Sequence, residues 1–216
     1  MQNDDMTVNY WKKLSVPLIA LALFLLSTVL IPRQVLYTKI AFCAVLIIWF
    51  RRDFSLHEMF VSYRYGKDFW VPFTAGLGGL LACYLIRDAL SNHVFAGMDA
   101  GMIQVWYKGG VETTLLYVLR IVLEPVAIEL FFRRGMIVLD DRRKMVLTAA
   151  VGTILAAMTS YFGPIGILET VISALPLVIV YCWTGDVYTT ILMHLIYAVL
   201  INVPELIYEM MRGALA

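Results

Sequence analysis

Seven apolar runs divide this chain, at about Leu14–Pro32, Val35–Phe50, Phe69–Ile86, Val111–Phe132, Met145–Phe162, Ile165–Trp183 and Val187–Ile207. Each approaches the roughly 17–25 residues that a helix needs to cross a hydrocarbon core of ~30 Å. A segment in lipid must satisfy its own backbone polar groups, which leaves the helix as the spanning element. The expected fold is therefore all-α: a polytopic transmembrane helical bundle of about seven spans, forming a single integral membrane domain over residues 1–216. With 61% hydrophobic and 15% charged residues, the composition lies outside the range of soluble globular chains. Lys12–Lys13 before the first run suit a signal peptide, but the run is long and no A-x-A site follows, so a retained first span is expected. The short "IPRQ" between the first two runs requires an antiparallel hairpin.

The formal net charge of +1 and the lack of a basic stripe interleaved with aromatics exclude nucleic acid as an expected partner. Cys43, Cys83 and Cys182 each fall inside an apolar run, without CxxC or histidine neighbours, and read as buried thiols. The stretch "RDALSNHVFAGMDAGMIQVWYKGG" is too polar to span and suits the membrane interface, with Trp106 and Tyr107 as anchors. Eleven of the seventeen lysines and arginines cluster at the N-terminus, in "RRDFSLHEMFVSYRYGKD" and in "RRGMIVLDDRRK". With seven spans these segments share one side, which the positive-inside rule makes cytoplasmic, leaving the C-terminus outside. The expected location is a multi-pass place in the cytoplasmic (inner) membrane, with the lipid bilayer itself as one partner.

Ionisable residues at membrane depth are costly and draw attention. Arg120 and Glu124 stand four apart on the fourth run, as do Glu129 and Arg133, so each pair can meet on one helical face. Pro125 between them should kink the helix. Either these pairs neutralise one another structurally or they line a polar cavity open to the cytoplasmic side. Glu169 has no cation at helical spacing; it is protonated or faces Arg120 from another helix. His194 is the one histidine inside a run, and Asn202 and Glu205 return to nearly the same face of its helix. His194 is a packing residue or a chemical one.

The stretches "PVAIELFFRRG" and "YCWTGDVYTTILMH" resemble motifs of the CPBP family of intramembrane proteases, which process CAAX-type prenylated proteins and are linked in bacteria to bacteriocin processing and immunity. The family's motifs are E-E-x-x-x-R, F-x-x-x-H and H-x-x-x-N or H-x-x-x-D. The resemblance is strongest over 115–202. It implies a glutamate and a histidine that activate water, with a further histidine and an asparagine that steady the oxyanion.

This chain departs from that set. Anchored on Pro125, the motif puts Ile128 in place of the first glutamate, with Glu129 second and Arg133 as the arginine. A rival register makes Glu129 first and leaves Leu130 second. The second motif falls near "TILAAMTSYFG", where Ser160 or Tyr161 replaces the histidine, and His194 is followed four residues on by Ala198. The resemblance thus implies a pseudoprotease that binds and assists or regulates a membrane-protein partner through a cavity of Arg120, Glu124, Glu129, Arg133, Glu169, His194 and Asn202, without cofactor or metal. One alternative is a divergent peptidase using Glu129, Arg133, His194 or Glu124, in which case zinc enters as a candidate cofactor. The other is a transporter subunit or lipid-handling protein.

Overall fold

In the computed structural model, which describes residues 2–52, 54–55, 57–59 and 66–214, every apolar run of the sequence forms helix. Arg64, part of the basic count above, lies outside the described residues. Helix α1 (Gln2–Leu30) turns through a 3₁₀ turn (Pro32–Gln34) into α2 (Val35–Trp49). The tight hairpin follows from Pro32 fixing φ at the start of that turn. Its two arms lock together where Phe24 stacks on Phe42 with centroids 5.2 Å apart.

Helix α3 (Gly66–Ala89) runs on through a π-helical turn (Leu90–Val94), two turns past the expected end of its apolar run. Trp106 and Tyr107 are exposed in the irregular segment that follows. Then comes one interrupted helix over 111–135: α4 (Val111–Val118), a π-helical turn (Leu119–Leu123), α5 (Glu124–Ile128) and a second π-helical stretch (Glu129–Gly135). Pro125 carries no N–H to bond backward. The break is absorbed here by the π-helical turn, in which the Glu124 N–H bonds back to the Leu119 carbonyl. Helices α6 (Arg142–Met158), α7 (Pro164–Thr184) and α8 (Val187–Ala214) complete the chain.

Five segments among the described residues are long and apolar enough to cross a membrane: Tyr10–Leu30, Pro32–Trp49, Phe69–Val94, Pro164–Thr184 and Val187–Tyr208. The other two expected spans are helical but do not meet that standard. The interrupted helix carries Arg120, Glu124, Glu129 and Arg133, and α6 is only 17 residues long. Their place in the bundle explains the charge. The interrupted helix packs against α2, α6 and α8, and Ala127 and Leu130–Phe132 on it are fully buried. A helix walled in by protein can carry charges that a lipid-facing helix cannot.

Lipid tails are as apolar as leucine, so helices associate in a bilayer through close packing and polar contacts rather than hydrophobicity. Gly76 and Gly79 provide such packing. A Cβ at Gly76 would overlap Met193 and Val180, and one at Gly79 would press on Pro176 at 3.2 Å, so these glycines admit α7 and α8 against α3. Cys43 is buried as expected, but Cys83 and Cys182 are only half-buried, because α3 and α7 turn those faces outward. The segment before the interrupted helix is stapled to the α6–α7 turn: the Ile103 N–H donates to the Ser160 carbonyl at 2.8 Å and the Phe162 N–H to the Gly101 carbonyl at 2.8 Å. Gly101, at φ 65°, lies directly against the Gly163 backbone, where no side chain fits.

Candidate functional site

Two polar constellations sit on the interrupted helix. The deeper one is built on Glu129, which is wholly inaccessible to solvent. Its Oε1 lies 3.0 Å from His194 Nδ1 on α8, and its Oε2 lies 3.7 Å from Arg133 Nε one turn onward. An ionised carboxylate only accepts hydrogen bonds, so this contact assigns the proton to Nδ1. Arg133 is 1% exposed, and its Nε and Nη1, like Glu129 Oε2, have no hydrogen-bond partner among the described residues. The expected Glu129–Arg133 pair is thus present as a charge pair at more than hydrogen-bond distance.

The second constellation was not legible from helical spacing. Glu124 does not meet Arg120; its Oε1 pairs at 2.6 Å with Lys39 Nζ of α2. Lys39 Nζ also donates to Ser160 Oγ at 3.3 Å, and Ser160 Oγ stands 3.5 Å from the same Glu124 oxygen. Arg120 turns instead to Glu205 of α8 at 3.6 Å, with both groups partly exposed. The reason is competition. Lys39 is buried and needs a counter-ion, while Arg120 finds one at the surface. Sequence reasoning passed over Lys39, although a lysine within an apolar run is itself a signal.

Between these groups lies a cavity of about 300 Å³. Arg120, Glu124, Arg133, His194 and Asn202 line it, as expected of them. Glu129 does not: it sits behind the wall and orients His194. Glu169 is buried on α7 but lies off the lining; Thr170 and Ser173, its neighbours on that helix, line the cavity. Ile128, Ser160 and Ala198 also line this cavity, whereas Leu130 is fully buried elsewhere. The Asn202 side chain donates to the Ala198 carbonyl at 2.8 Å. A smaller cavity of about 180 Å³ adjoins the first and shares Arg120, Glu124 and Ser160 with it. Among the described residues, no three His, Cys, Asp or Glu side chains come together as a metal-ligand set.

What this arrangement can do chemically is limited by access. The one carboxylate–imidazole contact among the described residues has its carboxylate sealed from the cavity. The carboxylate that does face the cavity, Glu124, is held by a lysine at 2.6 Å. The groups best placed to meet a bound molecule are cationic or hydroxylic: arginines, a histidine, serines and threonines.

Comparison with known proteins adds one finding. Residues 110–200 match the family model described as type II CAAX prenyl endopeptidase Rce1-like. The matched segment runs from the start of the interrupted helix into α8 and contains Ile128, Glu129, Arg133, Ser160, His194 and Ala198. No curated protein and no solved structure matches the chain.

Proposed function

We propose that this membrane protein, Rce1-like over residues 110–200, is a pseudoprotease that binds a membrane-protein partner and assists or regulates it without cleaving it. The observation that carries the reading is the chemistry of three cavity-lining side chains. In the register anchored on Pro125, Ile128, Ser160 or Tyr161, and Ala198 take the family's general-base, imidazole and oxyanion-donor positions, and Ile128, Ser160 and Ala198 face the same space as His194. Isoleucine cannot take a proton and alanine cannot donate to an oxyanion. General acid–base groups are commonly worth ~10²–10⁴-fold in rate, so a site without them is left with binding. The basic loops support a cytoplasmic-membrane location with the N-terminus inside.

The Glu129–His194 contact at 3.0 Å favours a second reading, a divergent peptidase with this pair as its base. Against it stands burial: Glu129 has no face on the cavity and none of its surface meets solvent. A base with no route to water can orient an imidazole but cannot itself deprotonate the attacking molecule.

The test uses purified protein in bilayers, incubated with prenylated and leader-bearing peptides and read by mass spectrometry. Intact peptides, together with a stoichiometric partner retained on mild detergent extraction, are the expected result. Cleavage abolished by Glu129→Gln and by His194→Ala would replace the pseudoprotease reading with the divergent peptidase.

A further inference from the structure

The cavity carries more positive charge than its surroundings neutralise. Lys39, Arg87, Arg120 and Arg133 line it or pair with a residue that does, against Glu124, Glu129 and Glu205. One cation is therefore left over. That cation is Arg87 of α3, which is half-buried with its guanidinium 5.2 Å above the Tyr84 ring and has no ion pair among the described residues. Arg133 adds an independent sign. It is 99% buried on the cavity wall, and two of its nitrogens are without any hydrogen-bond acceptor among the described residues. Buried arginine N–H groups left unpaired are expensive, and a ligand oxygen would satisfy them.

The remaining wall is of two kinds. Leu80, Pro125, Ile128, Leu177 and Ile201 make apolar surface, and the Ser173 and Thr170 hydroxyls add polar surface while donating their own hydrogens to the Glu169 and Gly166 carbonyls. Arg120 and Arg133 both line the cavity and stand 13 residues apart on the interrupted helix, so its cations are spread along that helix. A cavity with apolar walls, arginines spread along one helix and an uncompensated cation suits a molecule that is both anionic and apolar.

We infer that this cavity binds a phosphate ester carried on an apolar chain. A phosphate monoester bears about −1.5 to −2 charge at neutral pH and offers several strong acceptor oxygens. That matches an excess of one cation beside unpaired guanidinium N–H groups better than a single carboxylate does. The inference rests on the reading of the cavity as a binding site rather than a catalytic one, and it names the chemistry of what is bound.

The experiment uses the full chain in nanodiscs of zwitterionic lipid, with empty nanodiscs as background. Three probes are compared: decyl phosphate, decanol and inorganic phosphate. Saturable binding of decyl phosphate is expected, with decanol and inorganic phosphate each bound roughly tenfold or more weakly, since each keeps half of the recognition. Arg133→Gln should weaken decyl phosphate binding but also strips Glu129 of its partner. The pair Arg87→Gln and Arg120→Gln, both partly exposed, is the folding-neutral variant and should weaken binding by roughly tenfold as well. Decanol bound as well as decyl phosphate, or binding undiminished in the Arg87/Arg120 variant, would overturn the inference. Inorganic phosphate bound as tightly as the ester would reduce the site to one for free anion. Peptide cleavage by the same preparation would make the cavity catalytic and overturn the inference together with the pseudoprotease reading, whereas intact peptides with no decyl phosphate binding would overturn the inference alone.

Discussion

Replacing Glu129 with glutamine removes one charge and very little volume, and it tests how the deep constellation is held. Glu129 is fully buried, Arg133 is 1% exposed, and the two lie 3.7 Å apart. In the variant the guanidinium keeps its charge and its burial but loses the carboxylate opposite it. Breaking a buried ion pair from one side costs about 3–5 kcal/mol, because the remaining charge is left uncompensated. The His194 contact at 3.0 Å also changes from charge-assisted to neutral, which adds to the loss. For a domain of this size each kcal/mol lowers the midpoint of thermal unfolding by about 2–4 °C, so a fall of roughly 6–20 °C is expected for Glu129→Gln. The assay heats detergent-solubilised protein and measures the monodisperse fraction by size-exclusion chromatography. Arg133→Gln should fall by a similar amount, and the double substitution should recover part of the loss, since neither charge is then stranded. A Glu129→Gln protein that unfolds at the parental temperature while failing to bind its partner would refute the structural account and assign Glu129 a direct role.

Lys39→Met should destabilise the protein by stranding Glu124, and Lys39→Met with Glu124→Leu should restore the same thermal midpoint, because two charges are replaced by packed side chains of similar size. Reporter tags at the N-terminus and after Ala216 should report cytoplasmic and external positions respectively. That result holds whether or not the interrupted helix and α6 cross together, but a tag near Arg142 is cytoplasmic only if they do, so it decides between seven spans and five. Asp141 caps α6 by accepting from the Arg143 and Lys144 N–H groups at 2.8 and 2.9 Å, and these bonds hold its carboxyl below the usual aspartate range. Its contribution is therefore present above the unfolded-state value and is lost as pH falls through the depressed folded value. Asp141→Ala should flatten the acid limb of a stability-versus-pH curve, and an unchanged limb would refute the cap's role.

The all-helical bundle was legible because lipid permits an isolated segment little else, and the apolar runs marked its helices. The role of the interrupted helix was less so. Spacing alone suggested Arg120–Glu124, yet the partners that matter, Lys39 and Glu205, are far away in sequence and come from α2 and α8. The same rule succeeded at Glu129–Arg133, where the partners do share one turn. The motif reading singled out His194, Ile128, Ser160 or Tyr161, and Ala198, and of these all but Tyr161 line one cavity, a neighbourhood that helical periodicity cannot encode. It did not reveal that Glu129 faces away from the cavity, which depends on how the second π-helical stretch turns the helix. Of the two readings of Glu169, protonated or facing Arg120, the second fails because Arg120 is engaged by Glu205, and α7 offers the cavity Thr170 and Ser173 instead.

A π-helical turn holds one more residue than an α-helical turn over a similar rise, and the interrupted helix contains one on each side of Glu124–Ile128. Most membrane helices cannot gain or lose a single residue, since the change swings half of their side chains by ~100° and turns polar faces toward lipid. Here the Leu119–Leu123 turn is a slot where such a change can be taken up. Deleting one residue there would close the turn to an α-helical one, so Val111–Val118 would keep its face while Glu129, Arg133 and the Glu129 contact with α8 kept their places. The turn thus lets this helix vary by insertion and deletion, and not only by substitution, without turning the outer length or disturbing the buried charges below it.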